Sequence, residues 1–494
     1  MKPEALDSSL ESKEKNLSMH PEKQSKIARM DKAAFEIQKY NFDEEMEEKR
    51  RLFEDEIRVK TIKLVTKKTT ISNTKKILKK RGQSCAFDPG GTLREYTVCQ
   101  LKQNSKLMES LTFSIVLLIL LLNSFAFSLN FDTDKNALIS FKNSITSDTN
   151  AILSINWSQN TSVCNWIGVS CGLKHGRVTA LNLPRYDLAG TVAPHLGNLS
   201  FLRYLDISSN SFVGMLSFEL SKLRRLKVMN LGANSFTGEI PTWLGSLPQL
   251  EELYLYNNSF LGKIPSSLFN NSKLQMLQIL HLYSNKLSGS IPHVIFNVSS
   301  LREIRIGINS LSGRLPIDMC NNMPNIKFLA LSWNQLEGQI PSNIWKCTHL
   351  DVLSLSFNNF SGSIPRETGR LSMLTKLHLG YNSGFQGGVP PEIGNLSRLE
   401  ILGIGNASLT GIIPSSIFNM SYLEKLYLGD NKLTGLIPPN IWKCKNLEIL
   451  NLGWNHFTGI SYMILSTLFI ITNSLSHTIP LRKLKKTSRI FFSI

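Results

Sequence analysis

The sequence predicts an α/β repeat solenoid, and the observation behind this prediction is a motif that returns at a nearly fixed period. From Gln249 to Pro265 the chain follows the pattern L-x-x-L-x-L-x-x-N, and G-x-I-P comes after it. The Asn position recurs at intervals of 24, 25 or 27 residues, at Tyr186, Asn210, Asn234, Asn258, Asn285, Asn309, Asn334, Asn358, Asn382, Ala407, Asn431 and Asn455. A period of this length is the signature of a leucine-rich repeat solenoid, a horseshoe or superhelix with one strand per repeat.

The residue types within one repeat support the same fold. Leu253 and Leu255 alternate with polar positions, so they share one face of a short strand and bury it against the next repeat. The side-chain amide of Asn258 can bond backbone groups of neighbouring repeats. Gly262 permits a tight bend, and Pro265 ends strand pairing because it has no N–H.

Composition places few limits on function. The 494 residues carry 55 Lys and Arg against 37 Asp and Glu, a net charge of +18. Recognition of nucleic acid needs a clustered basic stripe, and the charge of the repeat region is diffuse. We therefore expect no nucleic-acid partner.

The chain divides into five segments. Residues 1–107 form a charged segment, helical or disordered, and a fusion in the gene model would also explain it. Its basic cluster Lys75–Arg81 fits either a nuclear-localisation signal or a solvated helix end. Residues 108–128 contain an apolar run from Ile115 to Leu122 and fit a signal peptide or a membrane anchor.

The remaining three segments follow from the repeat pattern. Residues 129–175 form an N-terminal cap, which begins with an amphipathic helix that includes Ala137, Leu138 and Phe141. Residues 176–460 contain about twelve repeats. Residues 461–494 are apolar and then basic, and 461–481 is a candidate transmembrane segment, so membrane association through 108–128 or 461–481 is expected.

The seven cysteines predict one disulfide and no metal site. Cys164 and Cys171 enclose a short loop in the cap, and a bridge between them would staple it in an oxidising compartment. Cys347 and Cys444 occupy one repeat position and are expected to be free, buried and apolar. No partner is evident for the other cysteines, which are Cys85, Cys99 and Cys320. Metal-ligand spacing with His is absent, so neither a metal nor another cofactor is expected.

Three stretches carry a resemblance to a known family. They are DTDKNALISFKNSI, CNWIGVSC and the repeats of the form LxxLxLxxNxLxGxIPxxLGNL. Together they resemble the extracellular part of plant leucine-rich repeat receptor-like Ser/Thr kinases, over about Phe131 to Gly459. The resemblance implies a plasma-membrane or extracellular location through the secretory pathway. It also implies a peptide or protein ligand and a co-receptor of similar repeat type.

The chain departs from that family at its C-terminal end. The repeat pattern stops after Gly459, and no Gly-rich phosphate loop, HRD or DFG motif is present. We therefore predict a binding protein and not an enzyme, with no catalytic residues.

The candidate ligand-binding residues form a first patch and a second column. Residues four and two positions before each Asn face the concave side, and aromatic and basic residues there favour a binding hot spot. The first patch contains Tyr254, Tyr256, His281, Tyr283 and Arg305, and the second column, one before each Asn, contains Trp333, Phe357 and Tyr381. The alternative is ordinary packing between repeats.

Ten Asn-x-Ser/Thr sequons predict a glycosylated surface, at Asn156, Asn160, Asn198, Asn257, Asn270, Asn297, Asn359, Asn395, Asn406 and Asn419. The function that best fits these features is ligand recognition by a receptor ectodomain in defence or developmental signalling. The alternatives are a secreted inhibitor of a foreign cell-wall hydrolase and a truncated, non-functional receptor product.

Overall fold

The computed structural model describes residues 133–269 and 274–458, and all of them belong to one compact unit. The segments 1–107, 108–128 and 461–494 lie outside the described residues, as do Cys85, Cys99 and the sequon at Asn270. Among the described residues no helix is long and apolar enough to cross a membrane.

The predicted solenoid is confirmed by a sheet that runs through every described repeat. We call it the long sheet, and within the described residues it has thirteen strands. They are Val169–Cys171, Val178–Asn182, Tyr204–Asp206, Val228–Asn230, Glu252–Tyr254, Ile279–His281, Glu303–Arg305, Phe328–Ala330, Val352–Ser354, Lys376–His378, Ile401–Gly403, Lys425–Tyr427 and Ile449–Asn451. The first pair is antiparallel and the others are parallel and in register, so that Leu253 lies beside Leu280. Leu253 and Leu255 are buried, as their alternation predicts.

The expectation of one strand per repeat is wrong, because the segment after the Asn forms a second strand. In the described residues a second sheet contains Ile145–Asp148, Leu188–Gly190, Ser211–Gly214, Ser235–Glu239, Ser259–Gly262, Lys286–Ser290, Ser310–Arg314, Gln335–Gln339, Asn359–Gly362 and Gly384–Phe385. A third, short sheet contains Thr410–Gly411, Lys432–Gly435 and His456–Phe457. Gly262 has φ +78°, so the bend predicted there ends a paired strand and does not replace one.

A single helical turn connects the second strand of most described repeats to the first strand of the next repeat. These 3-10 turns are Pro194–Asn198, Phe218–Lys222, Thr242–Ser246, Ser266–Leu268, His293–Asn297, Ser342–Lys346, Arg366–Arg370, Pro391–Asn395, Ser415–Asn419 and Pro439–Lys443. Pro at or before the first position suits such a turn, since its missing N–H would have no partner there. Beneath the second sheet the rings of Phe212, Phe236 and Phe260 follow one another at 6.4 and 6.3 Å between centroids.

The N-terminal cap covers the first leucine layer. A helix through residues 133–143 buries Ala137, Leu138 and Phe141, and the helix Ile152–Asn156 and the 3-10 turn Val163–Asn165 follow. The buried carboxylate of Asp134 accepts bonds from the Arg177 guanidinium at 2.7 and 2.9 Å. This paired charge ties the cap helix to the first repeat.

The Asn residues form a ladder of hydrogen bonds between repeats, as predicted for Asn258. The side-chain nitrogen of Asn358 donates to the carbonyls of Leu331, Leu355 and Ser356 at 3.1 to 3.2 Å. Its side-chain oxygen accepts from the N–H of Leu336 at 3.0 Å. Two of these partners lie in the preceding repeat, so one buried amide fixes two strands against each other.

Two disulfides are present in the described residues. One joins Cys164 to Cys171 in the cap, with Cα atoms 5.5 Å apart. The second joins Cys320 to Cys347, which corrects the expectations that Cys320 lacks a partner and that Cys347 is a free thiol. The two residues occupy different positions in their repeats, yet the stacking brings their Cα atoms to 5.1 Å. Cys444 is free and buried, as expected, and burial raises its thiol pKa to about 11.

Replacing Asn358 by Ala should destabilise the solenoid by about 2–4 kcal/mol, because three carbonyls and one N–H would lose a buried partner. Urea unfolding followed by circular dichroism measures this change. Asn446→Ala is the matched control, since this exposed amide makes one bond, to the carbonyl of Ser421. Equal midpoints for the two variants would contradict the role of the ladder.

Replacing Phe418 by Cys should create a third disulfide in the described residues. Phe418 stands four residues after Pro414, as Cys320 stands four residues after Pro316, and the Cys444 sulfur lies 4.0 Å from the carbonyl oxygen of the preceding residue, Ile417. Closing this loop should contribute about 3 kcal/mol, offset by the apolar volume lost at Phe418.

The oxidised Phe418→Cys variant should therefore melt above the same variant after selective reduction of the new bridge. The reduced form should melt below the wild type, because the loss of buried volume remains. Thiol titration of the unfolded protein gives the state of the introduced cysteine directly, and a variant that keeps both thiols free would show that the two positions are not equivalent.

Candidate ligand-binding face

The outward side chains of the long sheet form the candidate site, which we call the sheet face. Parallel register places Tyr254, His281 and Arg305 directly beside one another on three neighbouring strands. Neighbouring strands are about 4.8 Å apart, so residues 24 to 27 positions apart in the chain become neighbours in space. The first patch is thereby assembled from three repeats.

The tyrosines of the first patch pack through their rings. The ring of Tyr254 meets that of His281 edge-on, with centroids 4.9 Å apart. Tyr256 and Tyr283 stack in parallel at 4.9 Å. Tyr254 and Tyr256 are half-buried and Tyr283 is buried. Rings held in this way lose little further freedom when they bind, which suits hot-spot residues.

His281 and Arg305 are not the surface residues that the sequence suggests, since they are only 1% and 4% exposed. The physical reason is Glu303, which neither column includes. Its carboxylate lies 3.2 Å from Nε2 of His281 and 3.2 Å from the Arg305 guanidinium. The Arg305 guanidinium also lies over the Phe328 ring at 4.8 Å. This buried cluster packs beside the tyrosines through the contact of the His281 ring with that of Tyr254.

A second carboxylate, Glu252, was also missed. It stands six residues before Asn258, on the same outward column as Glu303. The Tyr254 hydroxyl donates to it at 2.8 Å. Burial raises the pKa of the Glu252 carboxyl, and the nearby charges of Glu251 and Glu303 raise it further. The first patch is therefore aromatic with two acidic groups beside it. Acidic residues at this outward position were the sequence signal that could have revealed both.

The second column forms a continuous stack of rings. Trp333 and Phe357 are parallel with centroids 3.7 Å apart, and Phe357 and Tyr381 follow at 3.9 Å. All three are half-buried and have φ between 55° and 61°, in the left-handed region. That conformation costs roughly 1–2 kcal/mol per residue. The backbone N–H of each bonds to a carbonyl of the next repeat, which helps to hold it there.

Two predicted glycosylation sites flank these aromatic groups at the same repeat position. Asn257 is half-buried beside the first patch, and Asn406 is exposed one repeat after Tyr381. The other described sequons are exposed, at Asn156, Asn160, Asn198, Asn297, Asn359, Asn395 and Asn419. Glycosylation at these residues stays a prediction.

The described residues hold no group of three or more His, Cys, Asp or Glu side chains that could bind a metal ion. An open groove of about 640 Å³ lies beyond the second sheet, lined by Leu315, Ile340, Ile364 and Val389. None of the candidate residues lines it.

Glu252→Gln should raise stability at neutral pH and have little effect near pH 4. The folded-state pKa lies above the ordinary value of 4.5, so folding favours the protonated carboxyl. The wild type is therefore penalised as pH rises through that raised pKa, and the neutral amide is not. Thermal melts from about pH 4 to 8 measure the difference. The exposed Glu239→Gln is the control, and a wild type whose stability parallels that of Glu252→Gln across this range would contradict the assignment.

Comparison with known proteins places these features in a family context. The leucine rich repeat N-terminal domain model matches residues 131–172. Leucine rich repeat models match residues 200–260, 397–457, 276–298, 325–347 and 349–371. The chain is 44% identical over 88 residues to a putative receptor-like protein kinase of Arabidopsis thaliana, covering 18% of this chain and 8% of that protein. It is 40% identical over 108 residues to the LRR receptor-like serine/threonine-protein kinase EFR of Arabidopsis thaliana, covering 22% and 10%.

Solved structures extend the likeness over more of the chain. The LRR ectodomain of the plant membrane receptor kinase GASSHO1/SCHENGEN3 from Arabidopsis thaliana, in complex with CASPARIAN STRIP INTEGRITY FACTOR 2, has a TM-score of 0.61 and 31% identity. That match covers 66% of this chain and 41% of that one. The plant peptide hormone receptor RGFR1 in complex with RGF2 has a TM-score of 0.50 and 32% identity, covering 56% and 47%.

The matched part of the chain thus spans a small fraction of the length of these curated kinases, and about half or less of those two structures. All the family models that match are of leucine-rich repeat type. The chain contains a leucine-rich repeat N-terminal domain followed by leucine-rich repeats, and its homologues are plant leucine-rich repeat receptor-like kinases, which it matches in their ectodomain region.

Proposed function

We propose that this domain is a ligand-recognition module of the receptor-kinase ectodomain type, which binds an extracellular peptide on the sheet face. The observation that carries the proposal is the packed tyrosine group of the first patch, with Tyr256 and Tyr283 stacked at 4.9 Å. Aromatic side chains with fixed orientation contribute a large contact area at a small entropic cost. Signalling in defence or development belongs to the same proposal, as does pairing with a co-receptor of similar repeat type at the plasma membrane.

Two kinds of support favour a peptide ligand. Structural relatives are plant receptors solved with bound ligands, and one of them is a peptide hormone receptor. On the sheet face the half-buried Tyr254 and Tyr256 pack against aromatic rings of the next repeat, which suits an extended chain that contacts neighbouring repeats in turn. The carboxyl group of Glu252 beside the tyrosines favours a ligand with a basic residue opposite this patch.

The test is peptide selection on three immobilised proteins: wild type, Tyr254→Ala/Tyr256→Ala/Tyr283→Ala, and Tyr422→Ala. A synthetic peptide library is passed over each, and retained peptides are identified by mass spectrometry and titrated by calorimetry. Peptides retained by the wild type should bind the triple variant at least about thirtyfold more weakly, as expected when hot-spot residues are removed. They should bind Tyr422→Ala as they bind the wild type, because Tyr422 is 59% exposed and lies off the sheet face.

The triple variant carries the greatest risk of misfolding, because Tyr283 is buried. Tyr256→Ala alone removes a half-buried ring and keeps the test valid if the triple variant unfolds. Wild-type affinity in a folded Tyr256→Ala protein and in the triple variant would remove the first patch from the proposed site.

A further inference from the structure

An exposed cluster of basic residues lies at the start of the solenoid, outside the sheet face. Lys174, Arg203, Arg224 and Arg225 are all exposed. Within the described part of the chain none of them forms an ion pair. We call this surface the basic edge.

Ring and backbone contacts show that the basic edge is one surface. The Arg225 guanidinium lies over the Phe201 ring at 4.0 Å, and the His175 ring lies 4.5 Å from the same ring. Arg203 and Lys227 are joined through the backbone, since the N–H of Lys227 donates to the carbonyl of Arg203 at 2.8 Å. The backbones that carry Arg203 and Lys227 are therefore neighbours in the stack, at about the 4.8 Å spacing of paired strands.

The acidic residues nearby leave this charge uncompensated. Asp134 is bonded to Arg177, Glu219 pairs with Lys222, and Glu251 pairs with Lys227. In later repeats the pair that corresponds to Arg224 and Arg225 is neutral in several cases, for example Pro248–Gln249, Ser299–Ser300 and Ser421–Tyr422. The excess positive charge is thus a local feature of the first repeats and not a property of the whole edge.

We propose that the basic edge binds an acidic polysaccharide, a chain of sugars that carry carboxylate groups. Guanidinium groups bind carboxylates through paired hydrogen bonds, and a row of them matches a polymer with repeating charges. The surface is exposed and open, which suits recognition by charge along a polymer. Two disulfides place the domain in an oxidising, extracytoplasmic compartment, where polyanions of this type occur and nucleic acids are not the usual partners.

Residue-specific labelling of arginines in the full chain tests the proposal. Phenylglyoxal modifies accessible arginines, and mass spectrometry reports the rate at each one. De-esterified polygalacturonate should slow modification of Arg203, Arg224 and Arg225 by about threefold or more at low salt, and the protection should disappear as salt rises. The fully methyl-esterified polymer has the same backbone without the charge, and it should protect none of them.

A pair of matched triple variants tests the contribution to affinity. Arg203→Gln/Arg224→Gln/Arg225→Gln should weaken binding of polygalacturonate by about tenfold and reduce its salt dependence. Arg366→Gln/Arg370→Gln/Arg398→Gln removes the same charge from exposed positions in later repeats and should leave the affinity close to that of the wild type. Both variants retain the basic segments at the two ends of the chain. The difference in affinity between the two variants therefore reports the contribution of the basic edge alone.

Several outcomes would overturn the proposal. The first is unchanged labelling of Arg224 and Arg225 while other arginines are protected, and the second is equal loss of affinity in the two triple variants. Protection by vesicles rich in phosphatidylserine, with none by polygalacturonate, would assign the edge to a membrane surface instead. Peptide binding at the sheet face should be unchanged in the Arg203 triple variant, so failure here and failure of the peptide proposal are distinguishable.

Discussion

The buried amide of the repeating Asn is the interaction on which the rest of the structure depends. Each such side chain is both donor and acceptor, so one residue satisfies carbonyls and an N–H of two repeats at once. The bonds hold neighbouring repeats at the spacing of paired strands. Leucines provide the larger free energy through burial, but burial alone would not fix which residues of two repeats stand side by side. The ladder therefore turns a hydrophobic stack into a surface with aligned columns.

Ala407 shows what happens where the repeating Asn, and with it one step of the hydrogen-bond ladder, is absent. In a regular repeat the N–H of the residue 22 positions earlier donates to the Asn oxygen, as Phe360 does to Asn382 at 3.0 Å. Phe385 holds that position before Ala407, and its N–H bonds weakly to the Asn382 carbonyl at 3.4 Å. In the described residues the second sheet ends at Gly384–Phe385, and a separate sheet begins at Thr410–Gly411. The long sheet continues past this point, because its strands have their own backbone ladder.

A feature of the fold could be predicted from the sequence where the interaction that produces it recurs in every repeat. The leucine layers, the Asn ladder and the juxtaposition of Tyr256 with Tyr283 all follow from one period. The second strand was missed because Gly and Pro signal turns, although Gly262 ends a paired strand. The Cys320–Cys347 disulfide was missed because its residues stand 27 positions apart, at unequal positions of neighbouring repeats. Burial of His281 and Arg305 was missed because their partner Glu303 stands in an outward column that the sequence analysis did not include.

The columns also explain how one solenoid can present two surfaces of different character. On the sheet face the tyrosine rings are held against one another, and the proposed peptide binding would gain from shape complementarity and from the burial of apolar contact area. At the basic edge the cations are exposed to solvent, so the proposed polymer binding would gain from charge and weaken as salt screens it. A peptide and a charged polymer would therefore respond differently to ionic strength on the same protein. Because the edge precedes the first patch by a single repeat, a bound polymer would lie close to the sheet face, and its charge would favour basic peptides over acidic ones there.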